Sequence, residues 1–442
     1  MTANALGQAR TLRIVTYNIA ADTGGFSTAR PGLVVPYNGG SVLAGGVLEG
    51  IGEEIVGNDP AQPLDILALQ ETTSNSTTVA PIVNALNSYY NSPGMYAMSP
   101  YQATSSGGVS SGGGPNAMVY NSHTVQLLAS VPVDPPGGTS QLGSSSGEYR
   151  EVMRYEFAPA GVTPTAANEF FIYVSHYKAS TGSANEIARA GEAQIIRNDS
   201  ATLPANARIL YVGDYNPTGG SSEPGYQTII ASGTNQGIDP MNPSGANGID
   251  WSTNTVLDQK TESAPDLRYR DDLQIMTTNV FYGLAGGLRL VPGTYHVFGN
   301  NGTTPYQGSV SIGNSALSNL ASGAPIDAST LYHDLTNASD HLPVVADYTV
   351  PVPAPPLPAL RLVNVSFLAN AGLQFAVSNM DGTPVTAAEQ ARIGIVTTTK
   401  LSDPLKNWIF LTNSTALSNG LLQVSDMNAV GYPQQFYRAI GQ

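Results

Sequence analysis

Ala207-Arg-Ile-Leu-Tyr-Val-Gly-Asp214-Tyr-Asn216-Pro-Thr218 is the stretch on which the fold turns. A β-favouring apolar run, Ile209 to Val212, stops at a glycine, and a carboxylate and a carboxamide follow two residues apart. Along a strand, residues i and i+2 point to the same side. Asp214 and Asn216 are therefore expected to aim together at one point just past the strand end. Oxygen ligands of this kind suit a hard cation such as Mg²⁺ or Ca²⁺. The same residues also spell a strand followed by an Asx-Pro turn, because Asp, Asn and Pro are turn formers. The stretch alone leaves both open.

The same design recurs on either side of it. Leu12 to Asn18 reads as a strand ending in Asn18, and Leu64 to Glu71 as a buried strand ending in a lone glutamate. Glu169 to Lys178 is a strand that reaches His176. Arg268-Tyr-Arg270-Asp271-Asp272 opens another, acidic at its start, and Ala338-Ser-Asp340-His341 opens the last. Tyr149 to Phe157 alternates as a strand carrying Arg150 and Glu151. Helices are expected over 45–56, 81–90 and 184–200. Residues 217–266 form a long Gly/Pro/Asn/Ser-rich insertion, and loops that long are usually functional or mobile. Residues 283–337 read as irregular. If the strands pack in one or two sheets, their polar ends can converge on one rim. That rim would hold carboxylates for a metal, amides for orientation and two histidines for proton transfer. Such a set can hydrolyse a phosphate ester, with a metal neutralising developing charge and a histidine deprotonating water.

Composition bounds the alternatives. The 442 residues allow two or three domains. Only 11% are charged, against ~25% in an average globular protein, while glycine (47) and proline (31) are abundant. This describes a turn-rich β or α+β protein. The net charge of −14 argues against coating nucleic acid by charge alone. It does not exclude a phosphate-ester enzyme, since bound cations invert the local sign of an acidic cluster. The absence of cysteine removes disulfides, thiolate zinc sites and cysteine nucleophiles. No apolar run is long enough to span a membrane. Low charge and few lysines suit an exported bacterial protein, secreted, periplasmic or on the cell surface. Met1 to Arg10 has no signal-peptide core, as a chain with its signal already removed would show.

Residues 350–359 are proline-rich and read as a stiff linker. They divide a catalytic region, 1–349, from a small β-rich module, 360–442. The ending Gln434-Gln-Phe-Tyr-Arg-Ala-Ile440 resembles the endings of exported proteins of the planctomycete–verrucomicrobial group, which suits a surface-anchoring or sorting domain; a plain stabilising β-sandwich is the alternative for this module.

Six pieces together resemble the endonuclease/exonuclease/phosphatase superfamily: Thr16-Tyr-Asn18, Leu69-Gln-Glu71, Ser175-His176-Tyr-Lys178, Gly213-Asp214-Tyr-Asn216, Arg270-Asp-Asp272 and Ser339-Asp340-His341-Leu-Pro. Each is short, but they occur in the family's order. The resemblance implies a four-layer α/β sandwich, two packed mixed sheets flanked by helices, followed here by the all-β module. It implies Mg²⁺ or Mn²⁺, with Ca²⁺ a further candidate, held by Glu71 with Asn18, Asp214, Asn216 and Asp340 around metal and phosphate. His341 would be the general base, paired with Asp272 rather than Asp271. His176 would contact the phosphate or act as acid, beside Asp214 and Asn216. Arg150, with Asn18 and Asn216, would bind substrate phosphate; a surface strand arginine is the alternative. Lys178 reads as a surface residue, Asp22 as solvated, and His123, His296 and His333 as structural.

The implied activity is a metal-dependent phosphodiester hydrolase, most simply a monomeric secreted nuclease acting on DNA or other nucleic acid. A phosphomonoesterase or a sphingomyelinase-like lipid phosphodiesterase is the alternative within the superfamily. A catalytically silent adhesion protein is the alternative outside it.

Overall fold

In the computed structural model the residues described are 8–21, 43–57, 60–105, 113–133, 150–262, 266–310, 314–352, 357–368, 372–412 and 415–441. Asp22, Tyr149 and the loops at 106–112 and 134–149 lie outside them. Contacts divide the chain into two compact units, Ala9–Val352 and the C-terminal residues from Pro353 together with Met1–Gln8.

The larger unit runs β1 (Gln8–Asn18), α1 (Leu43–Glu53), β2 (Ile66–Gln70), α2 (Ala80–Tyr89), β3 (Tyr96–Met98), β4 (Ala117–Asn121), β5 (Val125–Pro132), β6 (Met153–Pro159), β7 (Phe170–His176), α3 (Ser183–Ser200), β8 (Ile209–Asp214), α4 (Pro224–Ile230), β9 (Gly237–Ile238), β10 (Asp272–Thr277), α5 (Thr278–Tyr282), β11 (Arg289–Leu290), β12 (His296–Val297), α6 (Ala328–Ala338) and β13 (Val344–Val352). One sheet has the order β11-β13-β1-β2-β4-β3, with β12 also on β13; the other is β5-β6-β7-β8-β10-β9. Both are mixed. β1 pairs parallel with β2 and β7 parallel with β8, while β2–β4 and β8–β10 are antiparallel.

Alternation builds the layers. Leu12, Ile14, Ile66 and Ala68 from the first sheet meet Ile172, Val174, Leu210, Val212 and Met276 from the second in one buried cluster. The opposite faces are covered by helices. Val15, Tyr17, Leu67 and Leu69 pack on α1, α2 and α6 through Leu48, Leu86 and Leu335. Tyr173, Tyr211 and Ile275 pack on α3 and α4 through Ile196 and Ile229. The result is a helix–sheet–sheet–helix sandwich. Gln274 ties the two sheets: its amide nitrogen donates to Ile14 O at 3.0 Å and Val344 O at 2.7 Å, and Tyr348 OH donates to its oxygen at 3.0 Å.

Some boundaries differ from the sequence expectation. Residues 283–337 are not wholly irregular, because α6 forms within them. Asp327 caps it by accepting Thr330 N–H at 2.9 Å, and Leu331, Leu335 and Ala338 lie on its buried face. The insertion likewise holds α4 and β9. The strand expected from Tyr149 begins at Met153, since Arg150 makes only an isolated bridge to Ser105. β13 runs on to Val352, into the stretch expected as linker.

The C-terminal unit contains β14 (Leu360–Phe367), β15 (Leu373–Asn379), α7 (Ala387–Gln390), β16 (Ile393–Thr398), β17 (Ile409–Phe410), β18 (Thr415–Ser418), β19 (Leu421–Asp426) and β20 (Phe436–Gly441). They form a four-stranded and a three-stranded sheet, β14-β15-β19-β18 and β17-β16-β20, over a core of Phe375, Val377, Ile395 and Leu422. Among the described residues, the departures from all-β there are the single capped turn of α7 and two short 3-10 turns at Leu405–Asn407 and Ala429–Gly431.

Candidate active site

The alternation that fills the core also builds the site. Beyond Ile172 and Val174 on β7 comes His176, and beyond Leu210 and Val212 on β8 comes Asp214. Before Gln274 and Met276 on β10 comes Asp272, and beyond Ile14 and Thr16 on β1 comes Asn18. Each occupies the next position on the inter-sheet face of its strand. The register pairs Asp214 with His176 on one side and with Asp272 on the other, so the three form a row. Strands β7 and β8 can approach this closely because residue 213 is glycine. A Cβ there would lie 1.9 Å from the Ser175 carbonyl oxygen, and φ is +136°.

Asp214 Oδ2 is the hub. Asn18 Nδ2 donates to it at 3.0 Å, His176 Nε2 stands 3.3 Å away, and His341 Nε2 3.8 Å away. Asn18 Nδ2 also donates to Glu71 Oε1 at 3.0 Å. Glu71 is beyond β2 and would follow Leu67 and Leu69 toward the helices. A left-handed backbone, φ +53°, turns it instead toward the site. His341 Nδ1 is 2.7 Å from Asp272 Oδ2.

The ligand atoms of Glu71, His176 and Asp214 lie within 4.8 Å of one another, as do those of Asp214, Asp272 and His341. Asp272 Oδ1, Asp340 Oδ1 and His176 Nδ1 are buried without a protein partner. Carboxylates outnumber nitrogens, and buried oxygens are left over. The donor set therefore fits a hard divalent cation.

Burial pushes the Asp214 carboxyl up to about 6, the nearby Asp272 adds to the rise, and the His341 charge opposes it. Burial drives His176 well below the usual imidazole range, helped by the cations Arg150, His341 and Lys178. His341 moves the other way. Burial opposes its charged form, but the Asp272 charge and hydrogen bond, with Asp214 and Asp340, together raise it well above the usual range.

The remaining expected residues take differing places around this centre. β8 ends at Asp214, so Asn216 does not continue the strand; it sits in left-handed conformation, φ +44°. Its backbone N–H caps Asp214 Oδ1 at 3.0 Å and its Nδ2 donates to Tyr177 O at 3.3 Å. The turn reading left open by the sequence is the one the backbone adopts, and the Asp214 and Asn216 side chains do not aim together from one strand face. Arg150 is buried and donates to the same carbonyl, Tyr177 O, at 3.1 Å. Asn18 presents its nitrogen to the carboxylates while its oxygen accepts Ala20 N–H at 3.0 Å, so here it organises Glu71 and Asp214. Asp340 is half-buried and outside both ligand groups. Arg270 faces away, making a bidentate pair with buried Asp239 at 2.7 and 2.8 Å and lying over Trp251. His296 pairs with Glu54 at 2.9 Å and His333 with Asp334 at 3.3 Å, both outside the site.

Two further residues hold the centre together. Thr261 is fully buried, and its Oγ1 accepts the N–H groups of Asp271 and Asp272 at 2.9 and 3.0 Å. Its carbonyl accepts Leu342 N–H at 2.7 Å. It thus holds Asp272 against His341. Ser339 Oγ donates to Asn18 O at 2.6 Å and accepts His341 N–H at 3.1 Å, joining the ends of β1 and β13. Ser339 lies in a quoted motif; Thr261, in Lys-Thr-Glu, carries no sequence signal.

No family model matches the chain, and no curated protein matches it. Solved structures do. The human Nocturnin catalytic domain with bound sulfate is 15% identical, with 78% of this chain and 97% of that chain covered, at a TM-score of 0.44. An endonuclease/exonuclease/phosphatase from Beutenbergia cavernae is 14% identical, covering 98% and 100%, at 0.42. TDP2 of D. rerio, complexed with a single-strand DNA product, is 11% identical, covering 76% and 98%, at 0.41. Among the described residues no helix is long and apolar enough to cross a membrane.

Proposed function

We propose that the chain belongs to the endonuclease/exonuclease/phosphatase superfamily and is a divalent-metal-dependent phosphodiester hydrolase, with nucleic acid as its substrate. One observation carries this: Asp214 Oδ2 lies within 3.0–3.8 Å of Asn18, His176 and His341 while His341 is bonded through its other nitrogen to Asp272 at 2.7 Å. A buried carboxylate with an imidazole on either side, one of them backed by a second carboxylate, suits in-line attack of water on phosphorus.

Glu71, Asp214 and the His176 nitrogen would hold Mg²⁺ or Mn²⁺, which supplies charge neutralisation at a non-bridging oxygen. The chain's own residues do the rest. Asp272 fixes the His341 tautomer, so Nε2 faces the reaction space. Neutral His341 takes the proton of the attacking water as the new P–O bond forms and the old one breaks. His176, held neutral by burial, would offer its Nε2 to the metal ion and does not act as an acid. Arg150 and Asn216, joined at Tyr177 O, flank that side, where the Arg150 charge balances that of the substrate and Asn216 offers a neutral amide. The composition is that of a secreted bacterial protein, and residues 360–442 form an accessory module to the catalytic region 1–349.

The test is supercoiled plasmid and bis-p-nitrophenyl phosphate, each with Mg²⁺, Mn²⁺ and EDTA, against His341→Ala. The variant should lose about 10²–10⁴ in rate and keep its fold. Hydrolysis of the small diester without nicking would discard nucleic acid as substrate in favour of a lipid or sugar phosphodiester. Wild-type turnover unchanged in EDTA would end the metal-dependent reading.

A further inference from the structure

Behind the site, on the far side of β7 and β8, one guanidinium is completely enclosed. Arg189 stands on α3, the crossover helix that links these two strands, and its side chain has no solvent exposure. Nε donates to Glu223 Oε1 at 2.8 Å. Nη1 donates to Lys178 O at 2.8 Å and Ser180 O at 2.9 Å, and Nη2 to Thr218 Oγ1 at 3.1 Å. Lys178 and Ser180 belong to the loop that follows His176, and Thr218 to the loop that follows Asp214 and Asn216. One rigid fork therefore grips both site-bearing loops.

The grip is reinforced at each end. Glu192, one helical turn beyond Arg189, accepts Lys178 N–H at 2.9 Å, so Lys178 is held by both of its peptide groups. Glu223 also accepts Gly219 N–H at 3.3 Å, extending the hold on the second loop. Each loop carries a non-glycine residue in left-handed conformation, Ser180 at φ +77° and Asn216 at φ +44°. Such backbones are strained for a non-glycine residue and persist only where surroundings fix them. The Ser180 carbonyl is one of the groups that Arg189 fixes.

We propose that Arg189 is a positioning residue, a clamp that sets the separation of the loops bearing His176 and Asp214–Asn216 and so the geometry of the metal-ligand group. This rests on the hydrolase reading given above. The fork matters as well as the charge, since an ammonium has neither the planarity nor the reach to serve Glu223, Thr218 and two carbonyls together. Loss of a direct hydrogen-bond partner of a metal ligand typically weakens metal affinity about 10–100-fold; Arg189 acts one step further out, through the loop backbones, so the low end of that range is expected.

The experiment is a Mn²⁺ titration followed by EPR on the full chain, for wild type, Arg189→Lys, Glu223→Gln and Thr218→Val, with fold checked by circular dichroism. Arg189→Lys should weaken Mn²⁺ binding about 10-fold and lower kcat on bis-p-nitrophenyl phosphate with little change in KM. Glu223→Gln and Thr218→Val should move affinity in the same direction and less. Folded Arg189→Lys with wild-type Mn²⁺ affinity overturns the clamp. If that variant does not fold, unchanged affinity in both milder variants overturns it equally. Affinity reports on the clamp and turnover on the activity, so wild type that binds Mn²⁺ but hydrolyses no phosphate ester sinks the hydrolase reading on its own.

Discussion

Replacing Gly213 with alanine should cost the Ala9–Val352 unit about 2–6 kcal/mol and unseat Asp214. Two effects add. The backbone at φ +136° is open in practice only to glycine, and forcing another residue into such a region costs ~1–3 kcal/mol. The new Cβ would also stand 1.9 Å from Ser175 O and 2.9 Å from Ser175 C, a contact that must be relieved by spreading β7 from β8. Overpacking of this kind adds ~1–3 kcal/mol. At ~2.1 cal/mol/K per residue, the unit has an unfolding entropy of roughly 0.7 kcal/mol/K, so the melting point should fall by about 3–8 °C. Urea unfolding followed by Trp251 in a Trp408→Phe background reads this unit, because these are the chain's two tryptophans. Ser175→Gly should not rescue, since the clash is with a carbonyl and not with the serine side chain. A Gly213→Ala protein within about 0.5 kcal/mol of its parent, the range of an inert surface change, would mean that β7 and β8 are not held this close.

Glu71→Ala should raise the Mn²⁺ concentration needed for half-maximal rate, and an unaltered metal titration would remove it from the ligand set. Asp272→Asn removes the partner that keeps the proton on His341, so the acid limb of the rate profile should shift to lower pH as the overall rate falls; a limb that stays in place would place that titration elsewhere. Glu49 is fully buried, with both carboxylate oxygens unpartnered, and burial with nearby Asp334 lifts it to about 8. Its folded pKa exceeds its unfolded value of ~4.3, so the stability linked to its proton is complete below that value and drains away as pH rises through about 8. Glu49→Gln should therefore be more stable than wild type at pH ~9, on the order of 1–3 kcal/mol, and close to it at pH ~4. Equal urea midpoints at the higher pH would refute this.

Much of the site was legible because one rule makes both the core and the chemistry. Ile172 and Val174 announce the side on which His176 falls, and Leu210 and Val212 do the same for Asp214. Glu71 follows the rule only after a left-handed turn, which a glutamate does not advertise. Asn216 broke the i, i+2 expectation for the same reason: the strand had already ended. α6 was legible in principle, through its Asp327 cap and the spacing of Leu331, Leu335 and Ala338, but the surrounding glycines and serines obscured it. Thr261 and Arg189 were not legible. Their importance comes from backbone groups brought near by tertiary folding, and backbone groups are the same at every position in a sequence.

The Ser339 hydroxyl that reaches Asn18 O closes a span of 321 residues. During synthesis at ~5–20 residues per second, roughly 16–64 s pass between the emergence of these two ends. Through that interval the nascent chain displays Asn18, Glu71, His176, Asp214 and then Asp272, but not His341. On the proposed reading, a growing polypeptide carries its metal ligands but lacks its general base, and any product cut short before His341 would be inert by construction of the topology rather than by a separate inhibitor.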